Sequence, residues 1–243
     1  MRARRHQTLQ ERIDERRPDL ERLIGDLSRF VRRFDANRPF VGPSLYFHAK
    51  TIQALRRHST PVEALHDDLF FDYLYATLTS WGLHRLGSGN TRLGDLDDLK
   101  ASFRDQTTTI KQLQHRRIER LSSEEVREVT EKAWNIMANL QVGIGETLLV
   151  ANSKALHHLL PDLIPPIDRT YTLMFFVGRP YIYRNRDAAY FRALYPLFHQ
   201  IAVRCSGEIH RFIAEPSERM NTSVTKVIDN AILGFMSSIS DLS

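Results

Sequence analysis

Apolar residues recur at spacings of three and four along nearly the whole chain, and that period restricts the fold to packed helices. The clearest stripe is Val126, Val129, Ala133, Ile136, Met137 and Leu140. Ser122 precedes it with Glu125 three residues on, which is a capping-box start, and Gly143 and Gly145 follow its end. A second stripe, Val62, Leu65, Leu69, Tyr73, Ala76 and Trp81, opens at Thr60-Pro61 and closes at Gly82. Further helices are predicted over residues 44–58, 95–106, 108–121, 187–204 and 223–239, with Pro196 kinking the fourth of these. The first forty residues read as helical, broken at Pro18 and Pro39. No two neighbouring segments alternate strictly across a tight turn, so no sheet is expected. The expected fold class is all-α. It takes the form of one irregular multi-helix domain over residues 1–243, of a size that also allows two helical lobes sharing a cleft.

Cys205 is the single cysteine, so an intrachain disulfide, a cysteine-based zinc site and a cysteine-held iron–sulfur cluster are excluded. A reducing, cytoplasmic compartment is expected. No run of eighteen apolar residues occurs, so no membrane span is predicted, and the basic start Met1–Arg5 lacks the apolar stretch of a secretory signal. The formal charge is +5, and arginine dominates it. Eleven Arg face seven acids in the first forty residues; Arg116, Arg117 and Arg120 form one cluster, and Arg179, Arg184 and Arg186 another. A planar guanidinium suits phosphate oxygens, which makes DNA an expected partner.

Nucleotide loops of the Walker type, dinucleotide fingerprints, a His-Glu-x-x-His helix and a nucleophile elbow do not occur in the sequence. No metal and no cofactor are expected. The informative stretch runs from Gly143 to Phe176. Asn152 or Ser153 can cap a helix beginning at Lys154 and stopped by Pro161. Leu163-Ile164-Pro165-Pro166 is a stiff connector, and Asp168 stands where a new helix begins at Arg169. Lys154 and Asp168 are thus each expected at a helix start, near a positive end that favours anions.

This stretch resembles the helix-hairpin-helix DNA glycosylases, the 8-oxoguanine glycosylases among them. Residues 124–140, 142–153 and 154–160 look like the two helices and their hairpin. Ile164-Pro165-Pro166-Ile167-Asp168 looks like the connector that leads to the catalytic Asp of that superfamily. The likeness covers residues 124–176. Its hairpin departs from the usual Leu-Pro-Gly-Val-Gly with Lys two residues on: Val142-Gly143-Ile144-Gly145 lacks the proline, and Lys154 is nine residues beyond Gly145. Aligning the glycines keeps Asp168 alone in place; aligning Lys154 keeps both and enlarges the hairpin.

The resemblance implies excision of a damaged or modified base, in repair of the cell's own DNA or in defence against modified phage DNA. It implies Asp168 and Lys154 as catalytic residues, with abasic-site lyase activity if Lys154 attacks the sugar. Gly143, Gly145, Asn152, Ser153, Arg169 and Arg179 are the implied DNA contacts, and Trp81, Tyr171 and His157 the implied base pocket. Two other readings of the same residues stay open: a helical nucleic-acid-binding protein without catalysis, and a helical scaffold whose basic faces meet an acidic partner. Asp168 as a plain N-cap, Lys154 as a phosphate contact, and Trp81 and Tyr171 as core residues belong with those readings.

Overall fold

The structure is a computed structural model that describes residues 7–83, 92–145, 148–215 and 220–240. It is all-α. In chain order the helices are α1 (Leu9–Glu15), α2 (Arg17–Gly25), α3 (Leu27–Asn37), α4 (Pro43–Leu55), α5 (Pro61–Ala64), α6 (Asp68–Leu78), α7 (Leu96–Asp105) and α8 (Thr107–Leu113). They continue as α9 (Ser123–Asn139), α10 (Leu149–Leu159), α11 (Met174–Val177), α12 (Asp187–Arg204), α13 (Ser206–Ala214) and α14 (Val224–Ser240). Extended structure among the described residues is one antiparallel pair of two-residue strands, β1 (Arg92–Leu93) and β2 (Gly143–Ile144), with Arg92 opposite Ile144. Residues 84–91, and Glu146 and Thr147 of the hairpin segment, lie outside the described residues.

Local chemistry sets most of the boundaries. Ser122 and Glu125 form the capping box that starts α9. Asp67 caps α6, so the stripe that reads as one helix from Thr60 to Trp81 is two helices with a turn between them. The expected break near Pro18 falls at Arg16, between α1 and α2, and Pro18 itself sits in the first turn of α2, where a missing N–H costs nothing. Pro196 lies inside α12, which runs on to Arg204. The segment predicted over 108–121 splits into α8 and a short 3-10 turn, Ile118–Arg120.

Helix α14 is the axis of the molecule. Every residue from Val224 to Phe235 is buried, on all faces of the helix. It lies against α3 so closely that a Cβ on Gly234 would stand 2.0 Å from the Phe30 carbonyl oxygen; only glycine permits that approach. One contiguous apolar core joins residues from Ile13 in α1 to Phe235 in α14. A smaller cluster of Phe34, Met220 and Leu233 packs with Phe40, Leu45 and Trp81, and it carries the site described next. No helix among the described residues is long and apolar enough to cross a membrane.

Candidate active site

Helix α10 starts at Leu149, and that corrects the expectation of a start at Lys154. The cap comes from a distant part of the chain: the Asp187 carboxylate accepts from the amides of Leu148 (3.1 Å) and Leu149 (2.9 Å). Asn152 and Ser153 therefore lie inside the helix, buried, and neither caps it. Asn152 donates to the carbonyls of Met137 (2.6 Å) and Leu140 (3.1 Å) and closes the end of α9 instead. The Ser153 hydroxyl accepts from the Ile167 amide at 3.0 Å and ties the proline connector to α10.

That tie sets the register of the next pair. One residue further along each segment, Lys154 Nζ donates to Asp168 Oδ2 at 3.2 Å. Asp168 also caps the wide helical turn Arg169–Leu173: its Oδ1 accepts from the amides of Thr170 (2.7 Å) and Tyr171 (3.1 Å). Burial raises the Asp168 carboxyl, but the Lys154 ammonium and the two amides outweigh it and hold the group below the usual carboxylate value. Asp168 thus stands at a helix start as expected, whereas Lys154 is in mid-helix and owes its charge partner to Asp168 rather than to a helix end.

The pair opens onto a cavity of about 120 Å³, lined by Phe40, Trp81, Lys154, Pro166, Asp168, Tyr171, Asp229 and Leu233. Its volume matches about four waters, and its walls are mainly aromatic and apolar. Trp81 and Tyr171 both lie in the cavity wall. Trp81 lies 5.9 Å from Phe40 between ring centroids and stacks on His48 at 5.4 Å. His157 is not in the cavity wall: it is fully buried behind it and bonds the Ile164 carbonyl at 2.9 Å.

A histidine chain supports this wall. His158 Nδ1 donates to the Lys154 carbonyl (2.7 Å), so its Nε2 accepts from His48 Nδ1 (3.0 Å), and His48 Nε2 accepts from the Thr222 hydroxyl (2.9 Å). Burial pushes His158 down to about 4 and His48 and His157 well below the ordinary histidine value, so all three rings are neutral near pH 7. Among the described residues no group of three or more His, Cys, Asp or Glu side chains is arranged to hold a metal ion.

A second buried ion pair adjoins the first, and the sequence gives no hint of it. Lys226, with no exposed surface, donates to Asp229 Oδ2 (2.6 Å) and Asn230 Oδ1 (2.7 Å). Its ammonium lies 5.6, 5.1 and 5.4 Å from the ring centroids of Phe34, Phe40 and Trp81. Burial lowers the Lys226 amine and raises the Asp229 carboxyl, and each partner's charge opposes the other's shift. Four charges, two of each sign, thus surround one small aromatic slot.

The remaining predicted residues are dispersed. Gly143 sits in β2 and Gly145 at the exposed bend after it, so the hairpin segment is pinned to Arg92 and Leu93. Arg169 is half-buried next to Asp168. Arg179 bonds the Tyr183 hydroxyl (2.6 Å) and covers the Tyr181 ring, on a loop where both tyrosines are exposed. Arg116 and Arg117 are engaged by Glu125, Glu119 and Asp162. They border a separate cleft of about 360 Å³ that also includes Arg56, His58 and His115. In that cleft Arg116 and Arg117 are matched by acids, and Arg56 donates to the Thr222 carbonyl at 2.9 Å. Comparison of the chain with protein-family models, with characterised proteins and with solved structures returned no match.

Proposed function

We propose that the protein is a DNA glycosylase that excises a damaged or modified base and uses Lys154 and Asp168 as its catalytic residues. The observation that carries this reading is the 3.2 Å contact between a nearly buried amine and a carboxylate at the wall of an aromatic slot. A base turned out of the helix needs a pocket with flat apolar walls, and Phe40, Trp81 and Tyr171 offer them. Positive charge builds on the sugar as the base departs, and the lone pair freed when Asp168 takes a proton from Lys154 neutralises it by bonding to C1′.

The chemistry follows from the pair. Lys154 hands a proton to Asp168, and the freed lone pair forms the bond to the sugar C1′. The N-glycosyl bond breaks, and the base leaves with its electron pair and takes up one proton from the new ammonium at C1′. Opening of the sugar ring then gives a protonated Schiff base, with the proton on Asp168 passing to the ring oxygen. Hydrolysis of that Schiff base yields an abasic site; elimination from it nicks the strand. The exposed Arg179–Tyr181–Tyr183 loop and the glycine bend at Gly145 are the proposed backbone contacts, and DNA affinity should fall with salt. Both settings, repair of the cell's own DNA and defence against modified phage DNA, use this same chemistry.

The test is a panel of duplexes with single damaged or modified bases, scored for alkali-labile sites. Asp168→Asn keeps the N-cap, because asparagine caps as well as aspartate, and should lose activity on the substrate duplex while retaining its affinity. A panel without any base release, with salt-dependent binding intact, would leave the non-catalytic binding protein as the better reading.

A further inference from the structure

Three charged side chains line the slot, and two of them, Lys154 and Asp168, are engaged with each other. Asp229 is the third. A chain of hydrogen bonds with one direction fixes its role. Asp35 can only accept, so the Asn221 amide turns its nitrogen to it, at 3.3 Å. The Asn221 oxygen then accepts from Asn230 Nδ2 (2.8 Å), which turns the Asn230 oxygen to Lys226 (2.7 Å). Lys226, facing two acceptors and three ring faces, is held as an ammonium, and it donates to Asp229 Oδ2. Asp229 is thereby an acceptor at the slot. Among the described residues no group donates to its second oxygen, Oδ1.

We propose, resting on the glycosylase reading, that Asp229 selects the base: its free carboxylate oxygen accepts from an exocyclic amino group, so the slot takes amino-bearing bases. A carboxylate that receives the amino group of cytosine is an established pairing. A carbonyl at the same place brings an oxygen against an oxygen, and a buried acceptor left unpaired rejects such an analogue strongly. Lys226 and Asn230 are positioning residues that keep Asp229 ionised and aimed.

The experiment uses duplexes that bind without being cleaved, each with one 2′-fluoroarabino nucleotide. Two matched pairs are compared: 5-hydroxymethylcytosine against 5-hydroxymethyluracil, and adenine against hypoxanthine. A duplex with a tetrahydrofuran abasic analogue is the reference, and affinity is read by fluorescence anisotropy. The wild type should favour the amino member of at least one pair by about tenfold or more. Asp229→Asn should reduce that preference to about threefold or less. Equal or tighter binding of the carbonyl members by the wild type overturns the proposal, and this arm needs no variant. A folded Asp229→Asn protein, verified by its melting curve, that keeps the full preference overturns it too. If base release is observed without amino preference, Asp229 loses this role and the glycosylase stands. If no duplex of either panel loses a base, and no single-base duplex binds more tightly than unmodified DNA, the glycosylase reading itself fails and this inference with it.

Discussion

Replacing Lys226 by methionine removes the cation and keeps the bulk of the side chain. The Asp229 carboxylate, 6% exposed, would then have no counter-ion, and Asn230 Oδ1 no donor. Removing one partner of a buried pair costs about 3–5 kcal/mol, because the other charge stays desolvated. The lost cation–π contacts act in the same direction. Against a total stability on the order of 5–15 kcal/mol this is a large fraction. With a urea slope of about 3 kcal/mol/M, the midpoint should fall by about 1 M or more. The loss should also depend on pH. In Lys226→Met the Asp229 carboxyl is raised by burial and by the neighbouring Asp168 charge, with only the Lys154 ammonium left to oppose them, so the folded state binds the proton more tightly than the unfolded chain. Stability then falls as pH rises through the folded value and is regained on acidification toward it. Urea unfolding followed by far-UV circular dichroism at pH 5 and pH 7 reads both effects. Lys226→Met with Asp229→Leu should recover at least half of the loss. A cost below about 1 kcal/mol for Lys226→Met, or no recovery in the double variant, would refute the assignment of this pair as a mutually dependent buried unit.

Other substitutions test the frame around the site. Gly234→Ala places a Cβ against the Phe30 backbone and should cost about 1–3 kcal/mol or more, read as a fall in thermal midpoint; an unchanged midpoint would mean that α3 and α14 are not in such close contact. Asn152→Ala leaves the Met137 and Leu140 carbonyls without their donor and should cost about 1–3 kcal/mol, with faster amide exchange at the end of α9. Its DNA affinity should not change; a selective loss of affinity would return Asn152 to the DNA-facing role that its sequence position suggests. Asp168→Asn should remove base release and preserve binding, and a variant as active as the wild type would remove Asp168 from the chemistry.

The helical period carried most of the fold, since α9, α12 and α14 follow their apolar stripes to within a residue or so of the expected ends. Asp168 was legible because an N-cap after a proline connector is a local signal. The start of α10 was not, because its cap is supplied by Asp187 from a helix that follows much later in the chain. With that cap hidden, Asn152 and Ser153 were the nearest polar residues and drew the assignment. Lys226, Asp229 and Asn230 were illegible for a related reason. Three polar residues on one face of a stripe-bearing helix read as its solvated side, yet α14 is enclosed on every side by its neighbours. Trp81 and Tyr171 were named as pocket residues through the resemblance alone, whereas Phe40 required the tertiary packing that brings it against Trp81.

If Lys154 attacks the sugar with Asp168 as its proton partner, borohydride reduction will trap the Schiff base as a stable amine. Wild-type protein, incubated with the duplex that loses its base in the panel, should give a covalent protein–DNA adduct on reduction, and Lys154→Ala should give none. Base release by the wild type with no trapped adduct, or an adduct that persists in Lys154→Ala, would contradict the account.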